Sequence, residues 1–362
     1  MSQWNEPRLL LIGLAIFIGC VAVASQVNGP ATSPPRPPFR NQIVVSPDDP
    51  GEEGDFGPHT PGTQTSGLQE ALDAAKARGL DVYIAGGSWT SDKTKPIVYN
   101  LNTTLRVPWM QNFRLDSGNC VLNYTPSTGD AVVFDSQMSC CYRFGLIVTR
   151  GDGAAVRLRP VTAGPDRFKV ITSTEFVFNA LVCGGGGGAW PGGKPYDSHL
   201  DPKRHFTGTG LDLDATAGSI DANKITVIET VGCATGLEIT GAATRNTIEE
   251  VNIHLCRNGV RVGNPGDGQP ADNRIEAFVD SQGIEPSSAV DVFGSRNLLT
   301  LSVRRLPNHA GPDLVFDGPA ADNLAIVHFP CIVLDHSSMK ANRVIRPDAG
   351  ASTIRGTTKA DR

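Results

Sequence analysis

The sequence predicts an all-β parallel β-helix, a solenoid closed at its N-terminal end by a capping helix. Three observations carry this. A short phrase recurs as Asn223-Lys224-Ile225, Asn246-Thr247-Ile248, Asn273-Arg274-Ile275, Asn297-Leu298-Leu299, Asn323-Leu324-Ala325 and Asn342-Arg343-Val344, at intervals of 23, 27, 24, 26 and 19 residues. Between these lie strand phrases alternating apolar and variable residues: Gly236-Leu237-Glu238-Ile239, Gly259-Val260-Arg261-Val262, Ala289-Val290-Asp291-Val292 and Asp313-Leu314-Val315-Phe316. No helical period runs through the repeats, and units of this length bury their apolar faces only by stacking.

The position of the asparagine selects among solenoids. A leucine-rich repeat places its Asn two residues after the Leu-x-Leu strand, whereas here Leu237-x-Ile239 is followed by Asn246. In a β-helix, coils stack at the ~4.8 Å strand spacing and like residues form columns. An Asn at one turn of each coil then donates to one neighbour and accepts from the other, so the column is expected to be a structural ladder.

The ends of the chain read differently. The uncharged apolar run from Leu9 to Ala24, after Arg8, predicts a secretory signal or a signal anchor over residues 1–24, with lipidation at Cys20 as a further alternative. Residues 25–60, rich in Pro, Gly and Ser, are expected to be a linker, 61–348 the β-helix domain, and 349–362 a flexible tail. A secreted or cell-envelope location follows, with the N-terminal segment as membrane tether.

Composition agrees with a turn-rich β protein: 40 Gly, 26 Pro and only 6% aromatic residues. A net charge of −5 gives no basic stripe, so nucleic acid is not an expected partner. Seven of the eight cysteines follow the apolar run, without the spacing of a disulfide framework or a zinc site. Cys233 and Cys256 each precede a strand-phrase glycine by three residues, which predicts a buried column of small apolar side chains.

Along the chain, Leu68, Ala71, Leu72 and Ala75 fall at helical spacing after Ser66-Gly67-Leu68-Gln69, which has capping-box spacing, and Gly79 ends the helix. The strand Asp81-Val82-Tyr83-Ile84-Ala85 follows. The helix is expected to cover the open end of the first coil. Coils are expected from about Leu105, through Phe113-Arg114-Leu115, Val121–Tyr124, Ala131–Phe134, Leu146–Val148, Ala155–Leu158 and 168–181, where the Asn is missing.

The run Thr65-Ser66-Gly67-Leu68-Gln69-Glu70-Ala71-Leu72-Asp73-Ala74-Ala75, followed by Gly79-x-Asp81-Val82-Tyr83-Ile84-Ala85-Gly86-Gly87, resembles the capping segment of the pectate-lyase-like superfamily of single-stranded right-handed β-helices. With the Asn coils, the resemblance covers roughly residues 60–346. It implies a right-handed coil, and it implies carbohydrate chemistry only broadly, because lyases, hydrolases, epimerases, tailspikes and non-catalytic proteins share the fold. The chain departs from the pattern in having Gly62-Thr63-Gln64-Thr65 before the helix and no Pro after the strand. The polygalacturonase-like motifs Asn-Thr-Asp, Asp-Asp, Gly-His-Gly and Arg-Ile-Lys are missing from the coils. Arg274-Ile275-Glu276 matches two letters of the last, and Leu334-Asp335-His336-Ser337 resembles a pectate-lyase phrase at the wrong end of the rod.

Two candidate sites remain. The Gly/Pro-rich stretch between Cys183 and Gly210 interrupts the coil rhythm and reads either as a passive insertion or as a substrate-binding loop, in which Trp190 and Tyr196 offer stacking faces and Lys194, His199, Arg204 and His205 offer hydrogen bonds or charge. The second is the outward position of the strand phrase, a column reading Val133, Arg157, Asp212, Glu238, Arg261, Asp291 and Val315. Asp212, Glu238 and Arg261 are the catalytic candidates, and Asp212, Glu238 and Asp291 the candidate ligands of a Ca2+ ion shared with a uronate. The plain alternative is a solvated face of mixed sign. The expected function is binding, with cleavage by lyase or hydrolase chemistry left open, of an acidic polysaccharide; the alternative is a non-catalytic envelope protein. The oligomeric state is not legible.

Overall fold

The computed structural model describes residues 42–47, 54–86, 97–162, 168–184, 206–265, 270–281, 288–305, 311–328, 331–339 and 341–347. The expected signal segment, the tail and the aromatic loop, including Trp190, Lys194, Tyr196, His199, Arg204 and His205, lie outside the described residues.

Among the described residues every strand pairing is parallel, and the strands form two sheets, one of 14 strands and one of 12. The chain alternates between them coil after coil, which is the right-handed parallel β-helix. The first sheet carries the Asn phrase, with Lys224–Val227, Thr247–His254, Arg274–Ser281, Leu298–Arg305 and Leu324–His328 as successive neighbours. The second carries the Gly-apolar-x-apolar phrase, with Thr209–Asp221, Thr235–Thr244, Asn258–Val262, Val290–Val292 and Leu314–Phe316 in order.

Alternation along each strand decides what is inside. Ile225, Ile248, Ile275, Leu299 and Ala325 form an inward column of the first sheet, opposed by Leu211, Leu237, Val260, Val290 and Leu314 of the second, all buried. At the phrase glycine the two sheets approach too closely for a side chain: a Cβ on Gly236 would lie 2.6 Å from Ile253 Cγ2. Towards the N-terminus the core turns aromatic. Tyr142 stacks on Phe176 and Phe144 on Phe178 along the rod, and Phe134 meets Tyr142 and Phe176 edge-on.

The Asn ladder forms as the repeat predicts. Asn223 Nδ2 donates to Asn246 Oδ1 (2.9 Å), and the same bond links Asn246 to Asn273, Asn273 to Asn297, Asn297 to Asn323 and Asn323 to Asn342. The residue before each of the first five is in the left-handed region: Ala222, Arg245, Asp272, Arg296 and Asp322 have φ between 55° and 59°. That turn swings the next backbone N–H onto the neighbouring side chain, as Asn246 N–H does onto Asn273 Oδ1 at 3.0 Å. The column also continues where the sequence offers no Asn. Thr174 N–H donates to Asn223 Oδ1, and Cys140 N–H to Thr174 Oγ1, each again preceded by a left-handed serine.

The helix α1 spans Leu68–Arg78, buries Leu68, Ala71, Leu72 and Ala75, and ends at Gly79 with φ 64°. It rests on the strands Gln42–Val45, Asp81–Ile84 and Leu105–Val107, and so covers the first coils. Its start differs from the expected capping box. Gly67 is the N-cap in a left-handed conformation, Thr65 Oγ1 accepts from Gln69 N–H, and Ser66 Oγ instead donates to Asn100 O.

Two boundaries also differ. Gln42–Val45, inside the expected linker, is a strand in register with Asp81–Ile84, because Ile43 and Val45 are apolar enough to be buried beneath the cap. The coils therefore begin before Leu105. Cys233 and Cys256 are buried and unbridged, and Cys183 joins their column.

Candidate functional site on the outer faces of the coils

The charged column on the second sheet has the predicted register. Val133, Arg157, Asp212, Glu238, Arg261, Asp291 and Val315 pair in that order. Its charges, however, engage one another. Arg157 Nε lies 3.0 Å from Asp212 Oδ2, its Nη2 3.2 Å from Asp130, and Arg261 Nη1 3.7 Å from Glu238. Asp291 accepts from Asn258 Nδ2 at 2.8 Å and from Ser288 Oγ.

Burial pushes the Asp212 carboxyl up to about 7, against the pull of Arg157 and with a further push from Glu238. Asp291 is likewise raised by burial, opposed by its Ser288 and Arg261 contacts. Both guanidiniums of the column are thus engaged by its own carboxylates, while Asp212 Oδ1 and Arg157 Nε are buried without a hydrogen-bond partner. Asp212 and Glu238 are neighbours in register, and Arg261 stands between Glu238 and Asp291; among the described residues no group of three or more His, Cys, Asp or Glu side chains is placed to hold a metal ion.

Two hollows stand out among the described residues, and the larger of the two, about 540 Å³, lies beside α1. Its polar groups already fasten the cap to the first coil: Gln69 Nε2 donates to Arg106 O, Arg106 N–H to Gln69 Oε1, and Thr63 Oγ1 to Glu70. It is a joint.

The other, about 350 Å³, is an open groove on the outer face of the first sheet, lined by Glu249, Glu276, Phe278, Thr300, Ser302 and His328, with Glu250 and Ala277 in its floor. Register builds it. Glu249, Glu276 and Thr300 form one outward column, and Phe278 and Ser302 begin the next, which His328 continues. The groove crosses four coils, roughly 14 Å at the ~4.8 Å spacing.

A third outward column follows on the same strands: His254, Asp280 and Arg304. A β-bulge makes the junction, because Val251 and Asn252 together oppose Phe278 alone. His254 Nδ1 lies 3.3 Å from Asp280 Oδ2, and its Nε2 lies 3.9 Å from Glu229 and against Asn252 Nδ2. Burial raises the Glu229 carboxyl, with His254 opposing the shift.

Glu250 points the other way, into the core between Val227 and Ala277, where it is 1% exposed and accepts from Thr230 Oγ1. Burial pushes it up to about 8 despite that bond, and its second oxygen has no partner.

None of the groove residues was a sequence candidate. A signal for the column that borders the groove lay in the repeats: Ile253-His254, Val279-Asp280 and Val303-Arg304 are one inward–outward phrase, displaced from the Asn by an extra residue in the first of the three coils. In comparison with known proteins, no family model, curated protein or solved structure matches the chain.

Proposed function

We propose that the protein binds a polysaccharide laid across the outer face of the first sheet. The observation that carries this is the groove around Phe278. An aromatic ring on the solvent side of a sheet, ringed by two carboxylates, two hydroxyls and an imidazole, offers a stacking surface with hydrogen-bonding groups on both sides. A straight groove over several coils suits an extended polymer. The likeness of residues 65–87 and the Asn coils to the pectate-lyase-like superfamily supports the same ligand class, and the apolar run from Leu9 to Ala24 supports export to where such polymers occur.

The expectation of an acidic polymer rested on Arg261, on a calcium ion shared with the uronate, and on Lys194, His199, Arg204 and His205, which lie outside the described residues. With the Arg261 guanidinium held by Glu238 and none among the groove residues, a uronate chain in this groove would meet carboxylates instead. Glu249 and Glu276, on adjacent rungs of one outer column, are the residues with the chemistry for acid–base cleavage of a bound chain.

The test is retention of the full chain on gels containing neutral, amino and acidic polysaccharides, compared with Phe278→Ala. The reading expects at least one polymer to be retained and its affinity to fall about tenfold in the variant, the loss of one stacked ring. Equal retention of the two proteins would overturn it.

A further inference from the structure

The bulge that ends the groove leaves its polar atoms unevenly served. Asp280 is 7% exposed, and its Oδ2 faces His254 Nδ1 and, at 3.9 Å, Arg304 Nη1. Its Oδ1, though buried, has no hydrogen-bond partner, and neither has the buried Oδ1 of Asn252 beside the same imidazole. Orphaned buried polar atoms are rare in folded proteins and call for a partner.

Both orphans are acceptors. Glu229, on the other side of His254, adds a carboxyl whose ordinary range is raised by burial, which is the mark of a negative charge short of compensation. Along the same face, Glu249 and Glu276 continue the run of acceptors, and basic groups flank it: His254 and His328, the exposed Arg304 at one edge, and the exposed Arg274, two residues before Glu276, at the other. A ligand completing this face brings donors and positive charge.

A neutral sugar hydroxyl supplies donors alone. A protonated amine supplies three donors and the charge. Resting on the groove reading above, we infer that the polymer is one of free amino sugars, with one ammonium held at the bulge by Asp280, Asn252 and Glu229 and others meeting Glu249 and Glu276 farther along the groove.

Calorimetry on the full chain with glucosamine oligomers, N-acetylglucosamine oligomers of equal length and galacturonate oligomers tests this. The free-amine oligomer is expected to bind at least tenfold more tightly than its N-acetylated counterpart, because acetylation removes both charge and donors. Asp280→Asn should weaken the free-amine oligomer about tenfold and leave the N-acetylated one unchanged. Glu229→Gln, which tests the same subsite from the other side of His254, should act in the same direction, with circular dichroism reporting that each variant is folded.

Equal affinity for the two oligomers, or folded Asp280→Asn and Glu229→Gln proteins that bind the amine form as wild type does, would overturn the amine assignment while leaving a groove that responds to Phe278→Ala intact. Failure of the chain to bind any of the oligomers, together with no retention on the polysaccharide gels, would overturn both.

Discussion

Asn246 donates from Nδ2 to Asn273 Oδ1 at 3.0 Å, while its own Oδ1 receives Asn223 Nδ2 and N–H and its second amide proton goes to Ile220 O. Both donors and both lone pairs of the side chain are in use, inside a turn that is 1% exposed. Asn246→Leu therefore strands a backbone N–H, a backbone carbonyl and a neighbouring amide at once. At ~1–3 kcal/mol for each buried group left unmade, the loss should be at least about 3 kcal/mol. A denaturant midpoint indistinguishable from wild type would contradict the ladder's energetic role.

The exposed companions of the ladder should behave oppositely. Arg245 grips Asp221, and Arg296 donates to Asp272 through Nε and Nη2 at 2.8 Å, on the outside of the same turns. Exposed pairs of this kind contribute little. Arg296→Ala is expected to leave the denaturant midpoint within error, whereas Asn297→Leu, one residue on, shifts it clearly.

Glu250 makes stability depend on pH. Its folded carboxyl titrates at about 8 against an ordinary value of 4.5, so between those values the folded state holds a proton that the unfolded state has lost. The contribution of the neutral acid is fully present below pH 4.5 and is lost as pH rises to 8, at up to about 1.4 kcal/mol per pH unit. Glu250→Gln should match wild type near pH 4.5 and exceed its stability progressively up to pH 8. Parallel stability curves for the two proteins would contradict this.

The buried thiols predict a labelling pattern. Burial pushes Cys120 up to about 12 and Cys233 well above the usual thiol range, and Cys183 and Cys256 are enclosed beside Cys233. Of the seven described cysteines only Cys141 is partly exposed. Alkylation of the native protein at pH 8, read by mass spectrometry, should mark Cys141 first and Cys233 only after unfolding.

Much of the fold was legible because its grammar is local. An Asn every coil fixed the turn, and a period of two fixed which of Leu237, Glu238 and Ile239 faces out, so the whole column from Val133 to Val315 came out in register. Thr174 and Cys140 hid the ladder's continuation, since what the neighbour needs there is an oxygen at one rung and a backbone N–H at the next, and several residue types serve.

The site was harder to read for a physical reason. In Ile248-Glu249-Glu250 the alternation puts the second glutamate inside, against the expectation that charge faces water, and the bulge at Val251 and Asn252 then shifts His254 onto the same face as Glu249. A one-residue insertion moves every later side chain across the sheet. Charge pattern alone favoured the second sheet, where Arg157 and Arg261 prove to be occupied by Asp212 and Glu238.

The claim that ligand lies on the first sheet is tested most directly by hydroxyl-radical footprinting of the full chain, alone and with each of the glucosamine, N-acetylglucosamine and galacturonate oligomers at high concentration. The account predicts that the oligomer that binds protects Phe278, His254 and His328 and leaves Arg261 and Asp291 of the second sheet unchanged. Protection confined to the second-sheet column, with Phe278 as reactive as in the free protein, would contradict it.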